Sequence, residues 1–188
     1  MEVIRTEIPE VLVLQPARHG DHRGFFSETY NRQLFREHGI DCEFVQDNHS
    51  HSGKVGVVRA LHFQIPPRAQ DKLVRCVRGA ILDVAVDIRH GSPTFGRWVA
   101  AELSATNWRQ MLVPKGFAHG FVTLEPDSEV CYKVSDYYSP EHERGLRFDD
   151  PGLTIDWRIG PAEATLAERD RRHPTLADSP VYFRYGEV

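Results

Sequence analysis

The chain has 188 residues, 40 % of them apolar and 27 % charged, and its 23 Lys and Arg against 27 Asp and Glu leave a formal net charge of −4. Those proportions belong to a globular chain and exclude a disordered or fibrous one, while the mild negative charge gives no support to nucleic-acid binding. No run approaches the roughly 18 apolar residues of a membrane helix, and the opening MEVIRTEIPEVLVL mixes acids with apolar residues and lacks the layout expected of a signal peptide.

Residues 10–15 read as a first strand and 18–24 as a polar turn. Residues 31–38 predict a short helix, with Asn31 as N-cap and Gly39 as the stop. Strands follow over 44–50, 55–64 and 72–78. Gly79 then turns the chain tightly into 80–89. There Leu82, Val84, Val86 and Ile88 alternate with Ile81, Asp83, Ala85 and Asp87, the period of a strand. Further strands are predicted over 97–103, 110–114, 120–124 and 129–136. Turn signals recur about every ten residues (Gly79, Gly91-Ser-Pro, Pro114-Lys-Gly, Pro126-Asp), which implies an antiparallel sandwich or barrel. The tail differs: Thr165-Leu-Ala-Glu168 fits a capping box and predicts a short helix ending near Asp170. No linker or repeat interrupts the chain. A single mainly β domain is expected over 1–188, with a short helical segment from about residue 161.

Three cysteines, Cys42, Cys76 and Cys131, are far apart and form no CxxC pair. They exclude a cysteine zinc site and argue against a disulfide framework, so a reducing cytoplasm is the expected compartment.

Three stretches carry side chains capable of chemistry. In Arg59-Ala-Leu-His62-Phe-Gln64, strand alternation puts Arg59, Leu61 and Phe63 on one face and Ala60, His62 and Gln64 on the other. His62 is then either a hydrogen-bonded core imidazole or a functional base. In Pro114-Lys-Gly-Phe-Ala-His119-Gly-Phe, a Pro-x-Gly turn feeds a strand carrying His119. That spacing resembles the second motif of the cupin superfamily of small jelly-roll barrels, whose members commonly use this histidine as a metal ligand. The matching first region, Leu61-His62-Phe63-Gln64, lacks the His-x-His of metal-binding cupins. Two histidines without a placed carboxylate fall short of the three or more protein ligands usual for a transition metal.

In the third stretch, Tyr132 is a phenol on a strand, and inside a barrel it needs a hydrogen-bond partner or can serve as a proton donor. Arg23, Glu28, Lys72, Glu143, Arg169 and Asp170 read singly as solvated charges. Read together with the amides of Gln46 and Asn48, they can furnish a polar pocket. His38, His90, His142 and His173 lie in turns or charged runs and read as surface residues.

Taken together, these blocks resemble the dTDP-4-dehydrorhamnose 3,5-epimerase family from about residue 8 to residue 170. The resemblance rests on Asp21-His-Arg23-Gly-Phe-Phe-Ser-Glu28, Phe44-Val-Gln46-Asp-Asn48, Arg59-Ala-Leu-His62, Gln70-Asp-Lys72, Asp83-Val-Ala-Val-Asp87, Gly91-Ser-Pro-Thr-Phe-Gly96, Pro114 through His119, Tyr132 through Tyr138-Ser-Pro and Ala167-Glu-Arg169-Asp170, all in order. It implies a cupin-type jelly roll, a homodimer and a reaction using neither metal nor other cofactor. The implied substrate is a dTDP-linked 4-keto-6-deoxy sugar, inverted at C3 and C5 through enolates. At the matching positions, the resemblance makes His62 the base and Asp170 the group that orients and polarises it. It makes Tyr132 the acid on the opposite sugar face and puts Lys72 near the C4 carbonyl oxygen. Arg23, Phe25, Glu28, Gln46, Asn48, Arg59, His119, Glu143 and Arg169 are implied to line the nucleotide-sugar site, with Tyr138 stacked on thymine.

Two departures from the family pattern stand out. Ala60 replaces a usual Gly, and Arg169 replaces a frequent Lys, which keeps the charge with a different geometry. The Ala60 methyl is expected beside the active strand, where it can reshape sugar binding. It keeps open an alternative, a mono-epimerase acting at C3 or C5 only. A metal-dependent oxygenase is a further rival. A non-catalytic sugar-nucleotide binder is another, which the joint presence of His62, Tyr132, Lys72 and Asp170 argues against. The expected partners are the sugar nucleotide and a second copy of the chain that exchanges an N-terminal strand, with neither nucleic acid nor membrane.

Overall fold

Period-2 alternation builds most of the fold that the computed structural model describes for residues 1–187. In chain order the strands are β1 (Glu2–Arg5), β2 (Leu12–Gln15), β3 (His19–Asp21), β4 (Gly24–Phe26), β5 (Gln46–Ser52), β6 (Val58–Gln64), β7 (Lys72–Arg78), β8 (Ala80–Asp87), β9 (Arg89–His90), β10 (Trp98–Ser104), β11 (Gln110–Val113), β12 (Phe117–Thr123), β13 (Ser128–Val134), β14 (Glu143–Gly145) and β15 (Phe183–Arg184). One sheet runs β1-β2-β11-β7-β13-β5 and faces a second running β10-β8-β12-β6-β14. Every ladder in both is antiparallel. The result is an antiparallel jelly roll.

Three apolar layers hold it together. Ile81 and Ala85 of β8 point into the space between the sheets, with Val74, Met111, Phe117 and Val130. Leu82, Val84 and Val86 point the other way, into a layer closed by Leu146, Phe148, Leu153, Trp157 and Phe183. With both faces covered, β8 is buried along its whole length. Each fully buried Val, Leu or Ile side chain contributes about 1.5–3 kcal/mol. The third layer packs Phe35 of the helix α1 (Arg32–Glu37) on Leu14, Leu73 and Leu112. As its residues predict, α1 starts at Asn31, whose side chain accepts from the Leu34 amide at 3.1 Å. It stops at Gly39, which takes φ 78°.

Two expectations fail. The polar turn at 18–24 is a small hairpin, β3–β4. The helix of the tail does not form, and among the described residues from 161 onward the only helical piece is a 3₁₀ turn, Asp170–Arg172. A cap is worth about 1 kcal/mol. Here the extended alternative is worth more. Thr165 bridges Val57 in parallel, the Thr165 amide donates to the Gly56 carbonyl at 2.8 Å, and the Val58 amide donates to the Thr165 carbonyl at 2.9 Å. That pairing buries Ala164 and packs Leu166 on the core.

Candidate active site

Between the sheets lies a cavity of about 570 Å³. A register fault in β6 aims the residues of one wall. His119 of β12 pairs with His62 and Phe121 pairs with Arg59, so Ala60 and Leu61 together stand opposite Gly120. Such a bulge advances the strand by one residue and reverses the alternation beyond it. Arg59 and His62 therefore both face the cavity, whereas Ala60 and Leu61 both enter the apolar layer. The face assignment from strict alternation is corrected accordingly. It also corrects the expectation for Ala60. Its side chain rests on Gly120, where an added Cβ would fall 2.5 Å from the Ala60 Cβ. Glycine at 120 makes room for the extra methyl, which points away from the cavity.

The His62 Nε2–H donates to Asp170 Oδ1 at 2.9 Å. The two side chains are 21 % and 4 % exposed. Burial pushes the Asp170 carboxyl up, but the His62 hydrogen bond and the positive charge of Arg169 outweigh it, so Asp170 stays below the usual carboxylate range. With Nε2 committed, Nδ1 is the ring nitrogen left to accept a proton.

Lys72, from the opposing sheet, reaches across to donate from Nζ to the His62 carbonyl at 3.0 Å. Its burial disfavours the cation and lowers its pKa to about 8, against the pull of Asp83 and Glu143. Beside it, His119 Nε2 lies 2.8 Å from Asp83 Oδ1, with Asp83 fully buried. Burial holds the His119 imidazole below its ordinary pKa despite that carboxylate. The other oxygen, Asp83 Oδ2, is buried without a hydrogen-bond partner among the described residues.

Tyr132 enters the cavity from β13, in the sheet opposite His62. Burial raises its pKa, so the phenol is protonated at neutral pH. At the mouth, Glu143 Oε2 accepts from Tyr138 Oη at 2.9 Å and from Arg169 Nη1 at 3.1 Å. Gln46 Nε2 donates to Asn48 Oδ1 at 2.9 Å, and its Oε1 accepts the Tyr138 amide at 3.0 Å. Arg59 Nη2 is tied to the His51 carbonyl at 3.1 Å. Eleven of the fourteen residues singled out in the sequence therefore line one cavity. The other three do not. Arg23, Phe25 and Glu28 lie on or just after the β3–β4 hairpin. Arg23 pairs with Asp21, Phe25 packs edge-on against Trp108, and Glu28 accepts from Asn31 Nδ2.

Sequence reasoning missed Asp83, although a carboxylate inside the apolar alternation of 80–88 was a usable signal. It also misread His173. A 3₁₀ turn eclipses residues i and i+3, so His173 follows Asp170 inward and its Nε2 comes within 3.7 Å of Asp170 Oδ1. Its ring meets the His62 ring at 5.8 Å, edge to face. It lies on Gly145, where a Cβ would strike the ring at 2.5 Å. No signal in the local sequence could have shown this.

Comparison with known proteins fits this geometry. Residues 5–178 match the model of the family described as dTDP-4-dehydrorhamnose 3,5-epimerase. A protein of that description from Shigella flexneri is 54 % identical over 183 residues, covering 97 % of this chain and 99 % of the relative. The crystal structure of a dTDP-6-deoxy-D-glucose-3,5-epimerase from Legionella pneumophila, in complex with dTDP-4-keto-L-rhamnose, superposes with TM-score 0.93 at 44 % identity and covers 98 % of both chains. A 3′-monoepimerase from Streptomyces bikiniensis is more distant, at 33 % identity and TM-score 0.88 over 96 % of this chain and 92 % of its own.

Proposed function

We propose a division of labour among the cavity residues from one premise: the chain belongs to the dTDP-4-dehydrorhamnose 3,5-epimerase family. Its reaction is the inversion of C3 and C5 of dTDP-4-dehydro-6-deoxy-D-glucose, an isomerisation with no net redox change. The mono-epimerase alternative is not favoured. Relatives named as double epimerases reach 55 % identity, and the Ala60 methyl that kept the alternative open lies outside the cavity.

The observation that carries the proposal is the His62–Asp170 pair, facing the Tyr132 phenol from the opposite sheet. The C4 ketone acidifies C3–H and C5–H. His62 Nδ1 takes the proton, and the Asp170 carboxylate stabilises the imidazolium that forms. A carbon acid on the order of 12 pKa units above imidazole leaves a gap of about 16 kcal/mol. A positioned base supplies only about 10²–10⁴ in rate. The larger contribution is stabilisation of the enolate oxygen, where one preorganised donor is worth about 3–4 kcal/mol. We assign that donor to Lys72, assisted by His119. Tyr132 returns a proton to the other face, which completes the inversion. Arg59, Arg169 and the Gln46–Asn48 amides suit a diphosphate and sugar, and the exposed Tyr138 ring suits the base.

We further propose a homodimer in which the hairpin of one copy completes the cavity of its partner. Two exposed aromatics, Phe25 at 49 % and Phe26 at 70 %, support it, because they leave an apolar hairpin in water beside Arg23 and Glu28. The cytoplasm is the proposed compartment, supported by three unpaired thiols.

The test of the chemistry is NMR in D₂O on the keto sugar. Deuterium at both C3 and C5 is expected, and label at one carbon alone would overturn double inversion. Tyr132→Phe should slow epimerisation more than proton abstraction, and equal loss of both would remove Tyr132 as the acid. For the dimer, equal amounts of inactive Arg23→Ala and His62→Ala chains are mixed. An exchanged hairpin restores about a quarter of the intact sites, since half the dimers are mixed and each of those holds one whole site. Absence of recovery in verified mixed dimers rejects the exchange.

A further inference from the structure

We propose that His62, Asp170 and His173 form an inhibitory site for a zinc-like transition-metal ion. Their ligand atoms all lie within 4.8 Å of one another, with 2.9 Å from His62 Nε2 to Asp170 Oδ1 and 3.7 Å from His173 Nε2 to the same oxygen. A tetrahedral ion with bonds of about 2.0–2.2 Å sets its ligands roughly 3.3–3.6 Å apart, a spacing that the 2.9 Å and 3.7 Å separations bracket. His173 Nε2 is buried with no hydrogen-bond partner among the described residues, which leaves its ring free to ligate. Two imidazoles and one carboxylate select zinc, cobalt or copper over magnesium or calcium. The nearest opposing charge is Arg169, whose Nε stands 3.5 Å from Asp170 Oδ1 on a side chain 60 % exposed, so it can turn to solvent.

The consequence follows from proton bookkeeping. In the neutral His62 ring the proton sits on Nε2 and Nδ1 is the base. An ion on Nε2 displaces that proton to Nδ1, with no net release. The ring is then a metal ligand whose remaining nitrogen is already protonated, and it cannot accept a proton from the sugar. Inhibition therefore rests on the reading of His62 as the base, whereas binding does not.

The test titrates metal-free full-length protein with Co²⁺, then Zn²⁺, while following visible absorption and deuterium exchange of the substrate. Intense tetrahedral cobalt bands at one ion per chain, their loss to Zn²⁺, and loss of exchange reversed by EDTA are expected. For His173→Gln and His173→Ala, zinc inhibition is scored as a fraction of each variant's own metal-free exchange rate, so any change in basal rate drops out. Both variants should weaken zinc inhibition at least tenfold, about the least that removing a group around a metal costs in affinity. No cobalt bands, or equal zinc sensitivity in both His173 variants, overturns the site. Cobalt bound through His173 with exchange untouched upholds the site and overturns His62 as the base.

Discussion

Two histidine–carboxylate pairs sit side by side in the same cavity wall, and they are not equivalent. His62 and His119 are direct cross-strand neighbours. Each binds one carboxylate oxygen, at 2.9 Å in the Asp170 pair and 2.8 Å in the Asp83 pair. The His119 side chain is only 9 % exposed and its carboxylate comes from the adjacent strand β8. His62 keeps 21 % of its side-chain surface open, and its carboxylate arrives from a 3₁₀ turn near the C-terminus. A carboxylate partner alone therefore does not identify a base. The proposed assignment rests on access of the second ring nitrogen: it gives proton exchange to the more open His62 and a fixed hydrogen-bonding role to the buried His119.

The largest effect that can break this comparison is in the first pair. His62→Ala should cut solvent deuterium incorporation by about 10²–10⁴ while dTDP still binds. Substantial residual exchange, measured by NMR, would move the base elsewhere. Next comes the contrast between the carboxylates. A hydrogen bond to a charged group is worth about 1.5–3 kcal/mol, so Asp170→Asn should lower kcat by about 10- to 100-fold. Asp83→Asn, which reaches the enolate only through His119, should lower kcat by less. Steady-state kinetics in which Asp83→Asn costs more kcat than Asp170→Asn would reverse the roles of the pairs.

A third effect belongs to the lysine between them. Because burial lowers Lys72 to about 8, its cation is lost as pH rises through that value. The pH profile of kcat/KM should therefore fall above about 8, and Lys72→Arg should carry that limb upward, since a guanidinium stays charged. Stability runs the other way. The unfolded chain binds more protons between about 8 and the ordinary 10.5, so the penalty of burying the cation is full below that window and fades across it. Thermal melts of Lys72→Met should accordingly gain most below pH 8. The smallest effect is at Ala60. Restoring glycine should cost roughly 0.5–1 kcal/mol of stability, as glycine in a strand does, with no change in the C3 to C5 labelling ratio. A changed ratio would return residue 60 to the sugar site.

Much of this architecture was legible in the chain itself. Residues 72–78 form β7 as read, and both faces of 80–88 partition as their alternation requires. Asn31 and Gly39 bound α1 because capping is a contact among neighbours. The chemical inventory of the cavity was legible too, through residue types in ordered motifs. The failures share one character. The capping box at 165–168 was a sound local signal outweighed by pairing with residues 56–58. The faces of Arg59 and Ala60 were reversed by a bulge that answers to Gly120, on another strand.

Local chemistry thus settled where the long strands run, where the helix is capped and which side chains are available for acid–base work. It did so because side-chain alternation and capping act over a few residues. Packing of the whole chain settled which of those side chains meet. Asp170 and His62 are 108 residues apart in sequence, and His173 joins them through a turn that forms only where it docks. Contacts of that range depend on ladder register and on burial summed over entire sheets, and neither quantity is a property of any short stretch of residues.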